Sequence, residues 1–156
     1  MLEVDIPGHE LISLKYLVLD VNGTLALDGH LLPGVRERLE ILTEKLDIWL
    51  ISADTYGTLA ELAPTIKAKV RMMEPGNGAI QKAALVTELG PEQVVAIGNG
   101  VNDAAMLQQS ALGLAVLGPE GVATVCLNAA DIVVPSIEAA LDLLINQRRL
   151  TATLRA

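Results

Sequence analysis

A chain of 156 residues has the length of one domain, taken here as residues 1–156, and can bury a substantial core. Half its residues are apolar and none is Phe, so that core is aliphatic; a net charge of −8 repels nucleic-acid backbones and argues against them as partners. A lone cysteine, Cys126, excludes an internal disulfide and fits a reducing cytoplasm, no basic-then-apolar leader opens the chain, and no apolar run nears the ~20 residues that span a bilayer.

The predicted elements alternate. Residues 15–20 read as a buried strand ending in an acid, Asp20. Residues 25–32 read as a hairpin around Asp28-Gly29, projecting as a small flap, with His30 at its tip facing solvent or substrate. A helix is expected over 33–46, with Val35, Leu39, Leu42 and Leu46 on one face, then a strand over 47–52. A short helix over 55–63 stopped by Pro64, a strand over 69–73 and a helix over 79–89 closed by Gly90-Pro91 follow. Strands over 94–98, 112–117 and 131–134 then alternate with helices over 102–110, 121–129 and 136–146. Arg148, Arg149 and Arg155 read as favourable charge at a helix C-terminus, and Trp49 and Cys126 as core residues.

This alternation predicts an α/β fold: a parallel sheet with helical crossovers on both faces. In such sheets sites form at the carboxyl ends of the strands. Asp20, Ser52 and the loop 98–103 all follow strand ends. A strand-end carboxylate is a good nucleophile toward phosphorus when a cation screens the phosphate charge. Gly23 permits a sharp turn, Thr24 and Ser52 offer hydroxyls, Lys82 offers positive charge and Asp103 a second acid. Ser52 followed by Asp54 fits a helix cap equally well. Hard oxygen ligands at such a place suit Mg²⁺.

These segments, in this order, resemble the haloacid dehalogenase superfamily. LVLDVNGT at 17–24 resembles its first motif, Ile51-Ser52-Ala53 its second, Lys82 its third and VVAIGNGVNDAAML at 94–107 its fourth. The last stretch and KAALVTEL at 82–89 are especially similar to the phosphorylation domain of P-type ATPases. The resemblance implies a three-layer Rossmann-like fold and an aspartyl-phosphate formed on Asp20. Gly23, Thr24, Ser52, Ala53 and Lys82 would bind phosphate, with Lys67 and Lys69 as rivals to Lys82. Mg²⁺ would be held by Asp20, the Asn22 carbonyl and Asn99, assisted by Asp103.

Two positions depart from the family pattern. Asn22 stands where family phosphatases carry the acid that protonates the leaving group and activates water, and an amide does neither. Asn99 stands where the family has a Mg²⁺-binding Asp, so one charge is missing. Both asparagines precede glycine, a sequence prone to deamidation that would restore an acid. About thirty residues separate Asp20 from Ser52, and Ser52 from Lys82, which leaves no room for a cap domain. The expected protein is therefore a capless Mg²⁺-dependent phosphatase for a small phosphoester or acyl phosphate, slow to release its phosphate. Leu27, Leu31 and Leu32 on the flap suggest a homo-oligomer that covers the open site. The alternative is a weakened homologue that binds phosphate or a protein partner.

Overall fold

A computed structural model of the chain describes residues 1–53 and 57–156. A hairpin of β1 (Leu2–Val4) and β2 (Ile12–Leu14) leads into β3 (Tyr16–Asp20). A second hairpin, β4 (Ala26–Leu27) and β5 (His30–Leu31), precedes α1 (Val35–Leu42) and β6 (Asp47–Ser52). Then come α2 (Thr58–Thr65), β7 (Lys69–Met72), α3 (Gly78–Leu89), β8 (Val94–Gly98), α4 (Ala104–Gln109), β9 (Leu112–Val116), α5 (Thr124–Ala129) and β10 (Ile132–Val134). Two helices, α6 (Ile137–Ile145) and α7 (Gln147–Leu154), end the chain.

Six strands form one parallel sheet in the order β10-β9-β8-β3-β6-β7. Successive side chains of a strand point to opposite faces, and the central strands use both. Leu17 and Leu19 of β3, with Val95 and Ile97 of β8, join Leu39, Leu62 and Leu141 from α1, α2 and α6. Val18 and Ala96 turn the other way, onto Leu85, Leu107 and Cys126 from α3, α4 and α5. The sheet thus lies between two helical layers, as a continuous apolar strand pattern requires. Among the described residues there is no cap domain.

The flap turn is the one Asp-Gly predicts. Asp28 has φ 51° and Gly29 φ 82°, the left-handed pair that matches the twist of a two-residue hairpin.

Several expectations need correction. The helix expected over 33–46 begins after Gly34, whose φ of 75° lies outside the helical range, and ends at Leu42. Pro64 sits inside the last turn of α2 instead of stopping it; the expected start of that helix at 55, and Asp54 as a partner in capping, lie outside the described residues. Residues 101–103 form a 3-10 turn before α4, and the helix expected from 121 starts at Thr124. The hairpin β1–β2 and helix α7 were not anticipated. Their signals are short: Leu2 and Val4 alternate before Pro7-Gly8, and only Leu150 of α7 is fully buried. Arg148 and Arg149 occupy the first turn of α7, the wrong end for its dipole. Cys126 is buried and Trp49, half-buried, packs against the same core cluster, with Lys69 Nζ 5.4 Å and Arg71 Cζ 5.9 Å from its ring centre.

Candidate active site

The sheet reverses its order of growth at β3: β6 and β7 lie on one side, β8 to β10 on the other. Loops leaving the two central strands there diverge and open a crevice at the carboxyl ends. Asp20 ends β3 and is only 7% exposed. Beyond it the backbone wraps tightly. The Val21 carbonyl accepts from the N–H groups of Thr24, Leu25 and Ala26 at 3.2, 2.9 and 3.0 Å. Gly23, at φ 79°, donates to the Ala26 carbonyl at 2.8 Å. This turn aims the fully buried Thr24 back at Asp20: Oγ1 lies 3.0 Å from Asp20 Oδ2 and 3.2 Å from Asn99 Oδ1. One hydroxyl proton serves one of those oxygens at a time.

Helix α3 supplies the cation. Asn77 caps it, its side-chain oxygen accepting from Ala79 and Ile80 N–H at 3.0 and 3.3 Å. The next turn carries Lys82, 1% exposed. Its ammonium donates to Asp20 Oδ1 at 2.7 Å, Asp103 Oδ1 at 2.6 Å and Asn102 Oδ1 at 3.3 Å. Burial alone lowers the Lys82 pKa, but the two carboxylates outweigh it and hold it above the ordinary lysine value. Asp20 moves up to about 6, chiefly because burial disfavours its charge and then because Asp103 repels it; Lys82 and Thr24 pull the other way. The rival lysines lie elsewhere: Lys69 opens β7, 3.6 Å from Asp47 at the start of β6, at the opposite end of the sheet.

Asp103 is fully buried and faces away from open space. Its Oδ2 accepts from the N–H groups of Asn99 and Gly100 at 3.0 and 2.9 Å, while Oδ1 holds Lys82. Gly98 makes this possible, since a Cβ there would come within 2.5 Å of the Asp103 carboxyl carbon. Asp103 therefore fastens the loop after β8 to Lys82.

Ser52 is buried at the end of β6 and accepts from Asn22 Nδ2 at 3.4 Å; Ala53 beside it is exposed. The side chain of Asn99 is tied down at its nitrogen, which donates to the Gly121 carbonyl at 3.1 Å, so its oxygen turns toward Thr24. The backbone nitrogens that must attack for deamidation are both engaged, Gly23 N–H with Ala26 and Gly100 N–H with Asp103.

Sequence reasoning missed the turn at 118–121, which brings the Glu120 carboxylate against Gly23. Its signal was Gly-Pro-Glu-Gly one residue after β9, the strand beside β8. The flap also differs from expectation in its packing. Leu31 and Leu32 pack partly against the chain's own core and Leu27 is half-buried, which leaves less apolar surface for self-association than expected. A small open cavity of about 170 Å³ separates the flap from α2, lined by Gly29, His30, Leu31, Arg36, Glu61 and Leu62.

Among the described residues, no three His, Cys, Asp or Glu side chains group closely enough to hold a metal by themselves. A cation here would draw on a mixed set of hard oxygens: the Asp20 carboxylate, the Asn22 backbone carbonyl and the Asn99 amide oxygen. That donor chemistry suits Mg²⁺. Among the described residues no helix is long and apolar enough to cross a membrane.

Residues 1–110 match the profile of a family described as haloacid dehalogenase-like hydrolase. An uncharacterised protein of Methanocaldococcus jannaschii is 42% identical over 91 residues, covering 56% of this chain and 98% of its own length. Among solved structures, 3-deoxy-D-manno-octulosonate 8-phosphate phosphatase from Moraxella catarrhalis, in complex with magnesium, phosphate and KDO, superposes with a TM-score of 0.70 at 14% identity over 91% of this chain and 94% of that one. The cobalt-bound Haemophilus influenzae phosphatase of the same description gives 0.67 at 15% identity over 92% and 94%. At such identities these two likenesses speak for the fold.

Proposed function

The chain belongs to the haloacid dehalogenase-like hydrolases, and from that premise we propose that it is a phosphatase whose nucleophile is Asp20. One observation carries the reading: Asp20 sits at the switch point of the sheet with Lys82 on one carboxylate oxygen and Thr24 on the other. An Asp20 oxygen attacks phosphorus, the bond to the leaving oxygen breaks with its electron pair, and an aspartyl-phosphate forms. Lys82, Thr24, Ser52 and the backbone at Gly23 and Ala53 hold the phosphoryl oxygens. Asp20, the Asn22 carbonyl and Asn99 would hold Mg²⁺, which would supply a positive charge to screen nucleophile and phosphate from each other. Asp103 acts through the loop it fastens.

Asn22 sets the limits of the chemistry. Its amide has no proton to give a leaving group and cannot take one from water. Substrates that leave unaided, such as small acyl phosphates, are therefore favoured, and hydrolysis of the aspartyl-phosphate is the slow step. The crevice is open, and a second copy docking through the flap at 25–32 would cover it; light scattering tests that assembly. The single buried thiol suits a reducing cytoplasm.

Turnover of acetyl phosphate and p-nitrophenyl phosphate, with and without Mg²⁺, against Asp20→Asn tests the reading. Turnover in the wild type alone is expected, with a burst followed by a slower steady state. Equal rates in both proteins would remove Asp20 as nucleophile. The amides at 22 and 99 favour a second reading, a homologue that binds phosphate or a protein without turnover; phosphate binding with no acyl-phosphate labelling would establish it.

A further inference from the structure

Glu120 stands where the site lacks a charge. The turn that carries it leaves β9 and closes through a Gly121 N–H to Gly118 carbonyl bond of 2.9 Å. It is pinned to the crevice at three points. Asn99 Nδ2 donates to the Gly121 carbonyl at 3.1 Å, and Ala123 N–H donates to the Asn99 carbonyl at 2.8 Å. Gly118 approaches so closely that a Cβ there would lie 3.2 Å from the Gly23 carbonyl oxygen. The Glu120 carboxylate is thereby laid over Gly23. A methyl carbon on Gly23 would lie 2.9 Å from Glu120 Cδ and 3.1 Å from Asn99 Nδ2. The carboxylate of Glu120 and the amide nitrogen of Asn99 thus border one small volume, while the oxygen of the same amide reaches Asp20 through Thr24.

An exposed glutamate is ordinarily just solvated. Here the supporting turn is fixed to the site by two bonds to Asn99 after the residue and by the close approach of Gly118 to Gly23 before it. None of the ion pairs among the described residues uses Glu120. The charges also call for a partner. Asp20 and Asp103 outnumber Lys82 by one, and Glu120 raises the excess to two. These three carboxylates do not group closely enough to hold a metal by themselves, but the net negative charge they give the crevice favours a divalent cation there.

We propose that Glu120 is a further oxygen ligand, direct or through one water, for the divalent cation beside Asp20, supplying the charge that Asn99 does not. Asn99 then has a double duty. Its oxygen faces the cation, and its nitrogen holds the turn that delivers the replacement carboxylate. An Asp at 99 would set two acceptors against each other at Gly121 and release that turn. The proposal rests on the phosphatase reading above, in which a divalent cation binds at this place.

Cation binding to the whole chain without substrate provides the test. Mg²⁺ is titrated calorimetrically and Mn²⁺ by electron paramagnetic resonance, using wild type, Glu120→Gln and Glu120→Asp. The wild type should bind one ion. Glu120→Gln should bind roughly 10–100-fold more weakly and Glu120→Asp in between, as expected when a ligand or its support is lost. The cation-free melting temperatures should agree, because Glu120 is exposed. Wild-type binding with unchanged affinity in Glu120→Gln overturns the role of Glu120 alone. A wild type that binds no divalent ion at millimolar concentration overturns the cation site itself and this proposal with it.

Discussion

The Asn99 side chain donates to the carbonyl of Gly121 across 3.1 Å, so the amide at this position holds the turn after β9 against the site. Asn99→Asp would place a carboxylate oxygen against a carbonyl with no proton between them. The expected cost is about 1–3 kcal/mol in the absence of divalent cations, from a lost bond and an unsatisfied acceptor. Chemical denaturation with EDTA measures it, and added Mg²⁺ should recover part of the loss.

Lys82 lies between two buried carboxylates. Lys82→Met leaves both uncompensated and should destabilise by about 3–5 kcal/mol. Lys82→Met combined with Asp20→Asn should cost less than Lys82→Met alone, since one of the stranded charges is gone. A urea-unfolding double-mutant cycle reads this coupling.

The raised pKa of Asp20 has a definite sign in stability. Between the ordinary carboxylate value of 3.8 and about 6, the folded protein binds a proton on Asp20 more tightly than the unfolded chain does. That contribution to stability is complete below the unfolded pKa and is lost as pH rises through about 6. Asp20→Asn abolishes it. The cation-free variant should therefore be more stable than wild type at pH 7.5, on the order of 1–3 kcal/mol. The difference should shrink as pH falls from 6.5 to 4. A difference independent of pH would contradict this origin.

Gly113 in β9 lies directly under α4. A Cβ there would come within 2.5 Å of the Leu107 carbonyl oxygen and 3.0 Å of its carbon, both backbone atoms that cannot swing aside. Gly113→Ala should push α4 off the sheet, at about 1–3 kcal/mol. Because α4 starts directly after Asp103, the change should also reduce phosphorylation of Asp20. Thermal melts and acyl-phosphate labelling report the two effects separately.

Deamidation at Asn22-Gly23 and Asn99-Gly100, two of the chain's three Asn-Gly pairs, should be slow in the folded state, because the Gly23 and Gly100 N–H groups are both spent in hydrogen bonds. Peptide mapping after prolonged incubation should find residues 22 and 99 still amides in the native protein, while each gains about one mass unit in the urea-unfolded chain as those nitrogens are freed.

The sheet and the placement of Asp20, Lys82 and Asp103 were legible because they depend on local signals repeated many times: apolar strands, turn residues and helix stops in strict alternation. Asp28-Gly29 fixed its hairpin through the one turn type its dihedrals allow. Glu120 was not legible. Its role comes from a side-chain bond to Gly121 across 22 residues, and nothing in the turn alone says which neighbour it leans on. The flap leucines misled for a related reason. They look exposed in a hairpin read alone, and only the packing of the chain shows Leu31 and Leu32 resting on its own core. The hairpin β1–β2 and α7 escaped notice because each is short and gains its stability from the other, as in the bond from Thr151 Oγ1 to the Asp5 carbonyl at 3.0 Å.

The sheet divides the apolar interior into two clusters with no side chain in common. Substitutions on opposite faces should therefore add, as distant and independent sites do. Near Asp20 that independence ends. Lys82 reaches it from the layer of α3, and Thr24 comes from the turn that leads into the flap and α1 on the other side. An anion seated between them would tie the two layers to each other at one point. Slower hydrogen exchange in both layers on phosphate binding would be the signature of a ligand acting as a mechanical fastener as well as a reactant.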